Sequence, residues 1–255
     1  MLKFAIRIGI SSCLLGIKVR FDGQHKRDPI LLDELGPLVE WVPVCPELEV
    51  GMGVPRESVR LVRRPRLRLK ASASAQANPT PLMLGNSTGA DWTLRMNRLA
   101  RARARQLGAG DLAGYILKSN SPSCGMQGVA LYASSEAGAA IDKNGVGLFA
   151  AELARQLPHL PMEEEGRLQE PSQREHFLAR AFAYHELRDL WRTRWSRATL
   201  TAFHAAHEAT LLAHAAESCR ALGRWLARAK GVPRARLRDR YQSEFMAIMK
   251  QPPHP

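Results

Sequence analysis

Three cysteines carry the strongest chemical signal in this sequence, because each stands where an apolar run gives way to a polar loop. Cys13 ends Ser11-Ser12-Cys13 after the strand-like residues 4–10, Cys45 opens Cys45-Pro46-Glu47 after residues 41–44, and Cys124 lies in Ser121-Pro122-Ser123-Cys124-Gly125 after residues 112–117. Pro122 stiffens its loop and Gly125 lets backbone approach closely, so the thiol is presented rather than buried in mid-strand. The spacing is not the paired Cys-x-x-Cys of zinc ribbons or ferredoxins, so no local motif assigns a ligand set. By count alone, dispersed cysteines in a chain of this size are small buried hydrophobes. Their placement at three loop starts favours convergence over one sheet edge. Three thiolates suit an iron–sulfur cluster with one open iron. A zinc with three Cys ligands and a water is the competitor, and a lone nucleophilic cysteine with His25 as base is a third reading. Cys219 has apolar helical neighbours and reads as structural.

Other groups share those loops. Glu47 lies two residues beyond Cys45, free to titrate and suited to general acid–base work, or else to an ion pair with Arg56. Ser121 and Ser123 flank Pro122, and either hydroxyl could serve the site or satisfy backbone groups. Lys118 could balance thiolate charge. Ser12, Arg56 and Lys118 are the candidate substrate contacts.

The elements that must position these groups alternate in type. Residues 4–10, 41–44 and 112–118 read as strands, with a helix expected over residues 28–39 behind Asp28-Pro29 and another over residues 93–107 behind Asp91. Strand, loop, helix, strand in that order favours a mostly parallel, Rossmann-like α/β sheet. Residues 58–70 alternate apolar and basic residues and read as an exposed edge strand or hairpin. Residues 71–87 are rich in Ala, Ser, Asn and Pro and read as a loop or disordered insertion. Residues 129–132 and 160–162 read as further strands. Beyond Ser172 the pattern is helical, over segments ending at 195, 230 and 250, which divides the chain into an α/β domain (1–168) and a small all-α appendage (172–255).

With 37 Lys and Arg against 24 Asp and Glu the formal charge is +13. This favours anionic partners, without specifying a reaction. Arg98, Arg101 and Arg105 share a helix face that could hold phosphates, so weak RNA binding through a basic surface is expected at most. Four cysteines do not make a secreted disulfide framework. A lipoprotein signal would place its cysteine after the apolar run, whereas Cys13 lies inside it. No stretch is long and apolar enough to span a membrane. A cytoplasmic protein with no membrane role follows; the sequence leaves its oligomeric state open.

Taken together, Ser-Ser-Cys-Leu-Leu-Gly at 11–16 with Val-Arg-Phe-Asp-Gly at 19–23, Cys-Pro-Glu at 45–47 with Val-Pro-Arg-Glu at 54–57, Asp-Trp-Thr at 91–93 and Lys-Ser-Asn-Ser-Pro-Ser-Cys-Gly at 118–125 resemble the thiouracil desulfidase family. The resemblance covers residues 5–168, including the closing Glu-Glu-Gly-Arg-Leu. It implies a [4Fe-4S] cluster on Cys13, Cys45 and Cys124 whose open iron takes the sulfur of a thiolated pyrimidine such as 2-thiouracil. It also implies that Glu47 and Ser121 carry the acid–base chemistry that yields the oxo base and sulfide. The helical tail resembles a YbgA-type domain in truncated form; His204, His207 and His214 share a face there and read as hydrogen-bonded interface residues. The rivals are a basic nucleic-acid-associated module with structural cysteines and a zinc-dependent hydrolase.

Overall fold

The computed structural model describes residues 5–64, 81–133, 138 and 140–253. Its organising unit is a fully parallel sheet of β1 (Ile6–Ser11), β2 (Val39–Val44), β5 (Leu112–Leu117) and β8 (Met162–Glu164) in the order β2-β1-β5-β8. Each crossover is right for a parallel pair: the returning chain runs over a face instead of turning back as a hairpin. A second sheet, ordered β4-β3-β6-β7, is built from β3 (Val59–Val62), β4 (Leu82–Gly85), β6 (Val129–Tyr132) and β7 (Asp142–Gly145). It is mixed, with β3 antiparallel to β4 and parallel to β6.

Both faces of the central strand β5 are covered, and all six of its residues are apolar and buried. Tyr115 and Leu117 share a core with Met96, Ala100 and Ala104 of α2 (Thr93–Ala109) and with Phe149 and Leu153 of α3 (Leu148–Gln156). Ile6, Ile8, Ile10 and Ile116 point the other way, onto Phe177 and Ala181 of α4 (Pro171–Arg192). The helical segment thus begins as a layer of the sheet: α4 starts where the composition changes near residue 170, and it packs its apolar stripe on β1 and β5. α5 (Arg197–Arg228) and α6 (Arg234–Lys250) pack on each other beyond it. α5 is interrupted at Ala215, where φ is −159° and ψ 87°.

Three expectations change. The helical segment expected over residues 28–39 is present over 29–38 but irregular, with a π turn at Leu31–Leu35 followed by a 3-10 turn at Gly36–Leu38. Gly36-Pro37 stops helical propagation just before β2, although Asp28 still caps the turn by accepting the Leu31 N–H at 3.2 Å. Of residues 58–70, read as an exposed edge strand or hairpin, residues 65–70 lie outside the described residues; β3 is no edge strand, since β4 pairs antiparallel with it on one side and β6 lies on the other, and Leu61 and Val62 are buried. β4 itself comes from the stretch read as a loop, residues 71–87, of which residues 71–80 lie outside the described residues. Leu82-Met83-Leu84 was the overlooked apolar signal. In the tail, His204 Nδ1 meets the Tyr241 hydroxyl at 3.2 Å, His207 meets Glu186 at 2.9 Å, and His214 meets the Gln251 carbonyl. Among the described residues no helix is long and apolar enough to cross a membrane.

Candidate metal centre

The register of the parallel sheet dictates where the cysteines arrive. Ser11 pairs with Val44, so the chain leaves β1 and β2 side by side, with Cys13 and Cys45 each at the head of a short helical turn. β5 lies on the other flank of β1, and the Lys118 N–H that ends it donates to Ser11 Oγ at 3.0 Å. The loop that follows is clamped from below: the amides of Leu148 and Phe149, at the start of α3, donate to the carbonyls of Pro122 and Ser123 at 3.0 Å each. Gly147 has to be glycine for this contact, since a Cβ there would lie 2.4 Å from the Ser123 carbonyl oxygen.

The three loops enclose one cavity of about 330 Å³ at the carboxyl ends of the strands, where open α/β sheets bind ligands. Cys13, Cys45 and Cys124 line it together with Glu47, Ser121, Ser12, Arg56 and Lys118. Every site residue expected from sequence is therefore in one place. His25 is not: it is exposed, accepts the Arg27 amide at 3.1 Å and does not line the cavity, which removes the cysteine–histidine nucleophile.

Hydrogen bonding assigns different jobs within the cavity wall. Glu47 is held from two sides, by Arg56 on Oε2 and by the Ser123 hydroxyl on Oε1 at 2.8 Å. The Arg56 side chain is only 5% exposed and also donates to the carbonyls of Val19 and Gly53 at 3.0 and 2.8 Å, so it is committed to the protein. The ion pair left open by the sequence is present. Ser121 Oγ accepts the amides of Ser123 and Cys124 at 3.2 Å each, which leaves its own proton to donate. Lys118 Nζ is taken up by Ser119 and Glu165.

Two residues in this machinery were not singled out by sequence: Ser11 and Glu165. The run Glu163-Glu164-Glu165 is buried, and its members serve three purposes. Glu163 pairs with Arg167 at 3.0 Å, Glu164 accepts the Met126 amide at 2.7 Å, and Glu165 accepts the Ser119 amide at 2.7 Å besides binding Lys118. Two of the three, at the end of β8 and just past it, thus fix the loop around Cys124. Three acids in a row before a turn were the available signal.

The thiols are poised for a cation. Burial pushes Cys13 up to about 11, with the neighbouring Cys45 adding to it, and Lys118 only partly opposing. Burial likewise raises Cys45, and raises Cys124 far more, with Glu47 and the other two cysteines contributing. Ionised together, they would be an uncompensated buried charge; a bound metal offsets that charge and deprotonates them. The donor set is all sulfur, which selects soft metals and iron–sulfur clusters.

Known proteins resemble this chain in sequence. The uncharacterized protein YbbK of Bacillus subtilis (strain 168) is 33% identical over 122 residues, covering 46% of this chain and 71% of that protein. A solved structure described as a [4Fe-4S]-dependent thiouracil desulfidase TudS (DUF523Vcz) is similar at a TM-score of 0.48, with 28% sequence identity, covering 64% of this chain and 93% of that one. The family model described as 2-thiouracil desulfurase matches residues 8–165, from β1 through the end of β8 and thus across all three cysteine loops: the chain belongs to the 2-thiouracil desulfurase family.

Proposed function

We propose that the protein removes sulfur from a thiolated pyrimidine such as 2-thiouracil, giving the oxo base and sulfide, with Cys13, Cys45 and Cys124 holding a [4Fe-4S] cluster that keeps one iron open. The observation that carries this reading is the convergence of three thiols, one buried and two half-buried, and a clamped carboxylate on one cavity. When bound, such a cluster supplies a Lewis-acidic iron for the thiocarbonyl sulfur.

The chain supplies the rest. Glu47, oriented by Arg56 and Ser123, takes a proton from water, whose oxygen bonds to the carbon that carries sulfur; the C–S bond breaks and the sulfur leaves as sulfide. Water and a thiocarbonyl thus become a carbonyl and hydrogen sulfide, with no net electron transfer. Ser121 acts as a donor to the pyrimidine: two amides on Oγ draw density from the oxygen and disfavour it as a nucleophile. Ser12 lines the same wall as a further hydrogen-bonding group. Lys118 and Arg56, both committed to protein partners, contribute positive charge beside Cys13 and Glu47, not direct grips on substrate.

The test is anaerobic purification with iron, acid-labile sulfide and the visible spectrum measured on one sample, followed by sulfide release from 2-thiouracil. A brown protein that releases sulfide stoichiometrically with the oxo base supports the proposal. Stoichiometric zinc without labile sulfide sinks it.

A further inference from the structure

The excess positive charge of this protein is concentrated at one end. Residues 192–197 and 224–240 carry ten Lys and Arg against one acid, Asp239, and so account for nine of the thirteen net charges of the chain. The fold brings these segments together: Arg234 donates to the Trp195 carbonyl at 2.6 Å and Arg197 to that of Ala227 at 3.4 Å. Elsewhere many arginines are matched by carboxylates, among them Arg7, Arg56, Arg63 and Arg174. Here, among the described residues, Arg194, Arg224, Arg228, Lys230 and Arg236 are exposed and have no carboxylate partner, whereas Arg192, Arg238 and Arg240 do. Five unmatched cations on one tip repel one another, a cost that a polyanion would remove.

This end is remote from the cavity. Arg192 pairs with Asp111 at 2.7 Å and Arg188 donates to the Leu112 carbonyl at 2.8 Å, which puts the end of α4 at the beginning of β5. Cys124 follows the other end of that strand. The six residues of β5 alone rise about 20 Å between the two.

We propose that the tip formed by the α4–α5 and α5–α6 turns docks the phosphate backbone of a nucleic-acid duplex, independently of the sulfur chemistry. Nine of its ten cations are arginine, whose planar fork fits phosphate oxygens two at a time. A membrane is the poorer occupant, because none of the exposed large apolar side chains lies in these segments to enter a lipid surface. A single strand is poorer too: bases need open aromatic faces, and the two tryptophans here are occupied, Trp195 by Arg234 at 4.6 Å and Trp225 by Arg240 at 4.3 Å. The basic face of α2 is a weaker rival, since Arg101 there is matched by Glu152 at 3.8 Å.

The experiment is fluorescence anisotropy of the full chain with RNA and DNA duplexes, the matching single strands, and vesicles containing anionic lipid, from 50 to 200 mM salt. Five phosphate contacts predict a log–log salt slope of about −4.5, or a loss of about 500-fold over that range. R224E/R228E/R236E should bring the slope to about −2 and weaken duplex binding at least tenfold, while R95E/R98E/R105E, with the same net charge, should leave the slope alone. If the reversed variant fails a melting check, R224Q/R228Q/R236Q replaces it with the same expectation. Equal losses from both sets would overturn the proposal in favour of net charge alone. So would tighter binding to single strands, or vesicle binding with the same slope.

Discussion

Replacing Glu47 by Gln separates the proton chemistry from the architecture. The carboxylate meets two donors, Arg56 and the Ser123 hydroxyl. Gln can keep its carbonyl on Arg56 and turn its amide toward Ser123, whose hydroxyl can accept as well as donate. The shape is preserved, and the loss is one charge-assisted bond, about 1.5–3 kcal/mol. That is well inside a typical stability of about 5–15 kcal/mol, so the fold and the three thiols should persist. Losing a general base costs roughly a hundred- to ten-thousand-fold in rate, equivalent to about 3–5 kcal/mol on the barrier. The measurement is sulfide release from 2-thiouracil by E47Q, with iron and labile sulfide determined on the same samples. A variant that stays brown and turns over hardly at all is the expected result. Near-full activity would refute the reasoning by making the carboxylate structural; loss of iron would make it part of the site's framework and send the search for the base elsewhere.

Further outcomes follow from other contacts. S123A removes one of the two bonds on Glu47 and should lower kcat about tenfold with the metal content unchanged, in line with about 1.5 kcal/mol for such a bond; an unchanged kcat would show that Arg56 alone orients the carboxylate. C13A, C45A and C124A should each abolish the iron-dependent colour while C219A keeps it, as read from absorbance and iron content; Cys219 is buried in α5, away from the cavity. Metal-free protein should lose stability as pH rises past about 9, because the unfolded thiols ionise there while Cys13, held up to about 11, stays protonated in the fold; a melting temperature flat between pH 8 and 10 would contradict this. G9A should cost about 1–3 kcal/mol by chemical denaturation, since its Cβ would lie 2.3 Å from the Tyr115 ring in the packed layer between β1 and β5.

Much of the site was legible because its signals are local. Each cysteine is marked by the apolar run before it and by Ser, Pro or Gly beside it, and those marks survive any tertiary context. Ser123 was not distinguishable from Ser121, because its partner Glu47 lies 76 residues away and nothing in the spacing couples them. Glu165 was hidden for the same reason, acting on Ser119 at a separation of 46. The second sheet was missed in part: β4 sits beside a stretch of Ala, Ser and Pro that outweighed its three apolar residues, and a strand read without its neighbour looks like an edge. The helical segment expected at residues 28–39 is present over 29–38, but in irregular form, because Gly36-Pro37 interrupts the regular hydrogen-bond pattern just before β2.

The strand order β2-β1-β5-β8 also sets a timetable for assembly. Cys13 and Cys45 become neighbours once β1 and β2 pair, but Cys124 reaches them only after another 79 residues have been made and β5 has slotted in on the far side of β1. The Glu164 and Glu165 contacts that steady its loop come later still, with β8. Such long-range closure is slow compared with local folding. A nascent chain therefore exposes two of its thiols well before the third exists to join them. On the proposed reading, cofactor loading belongs to the finished fold, and any delay in completing β5 lengthens the interval in which oxidation of Cys13 and Cys45 competes with it.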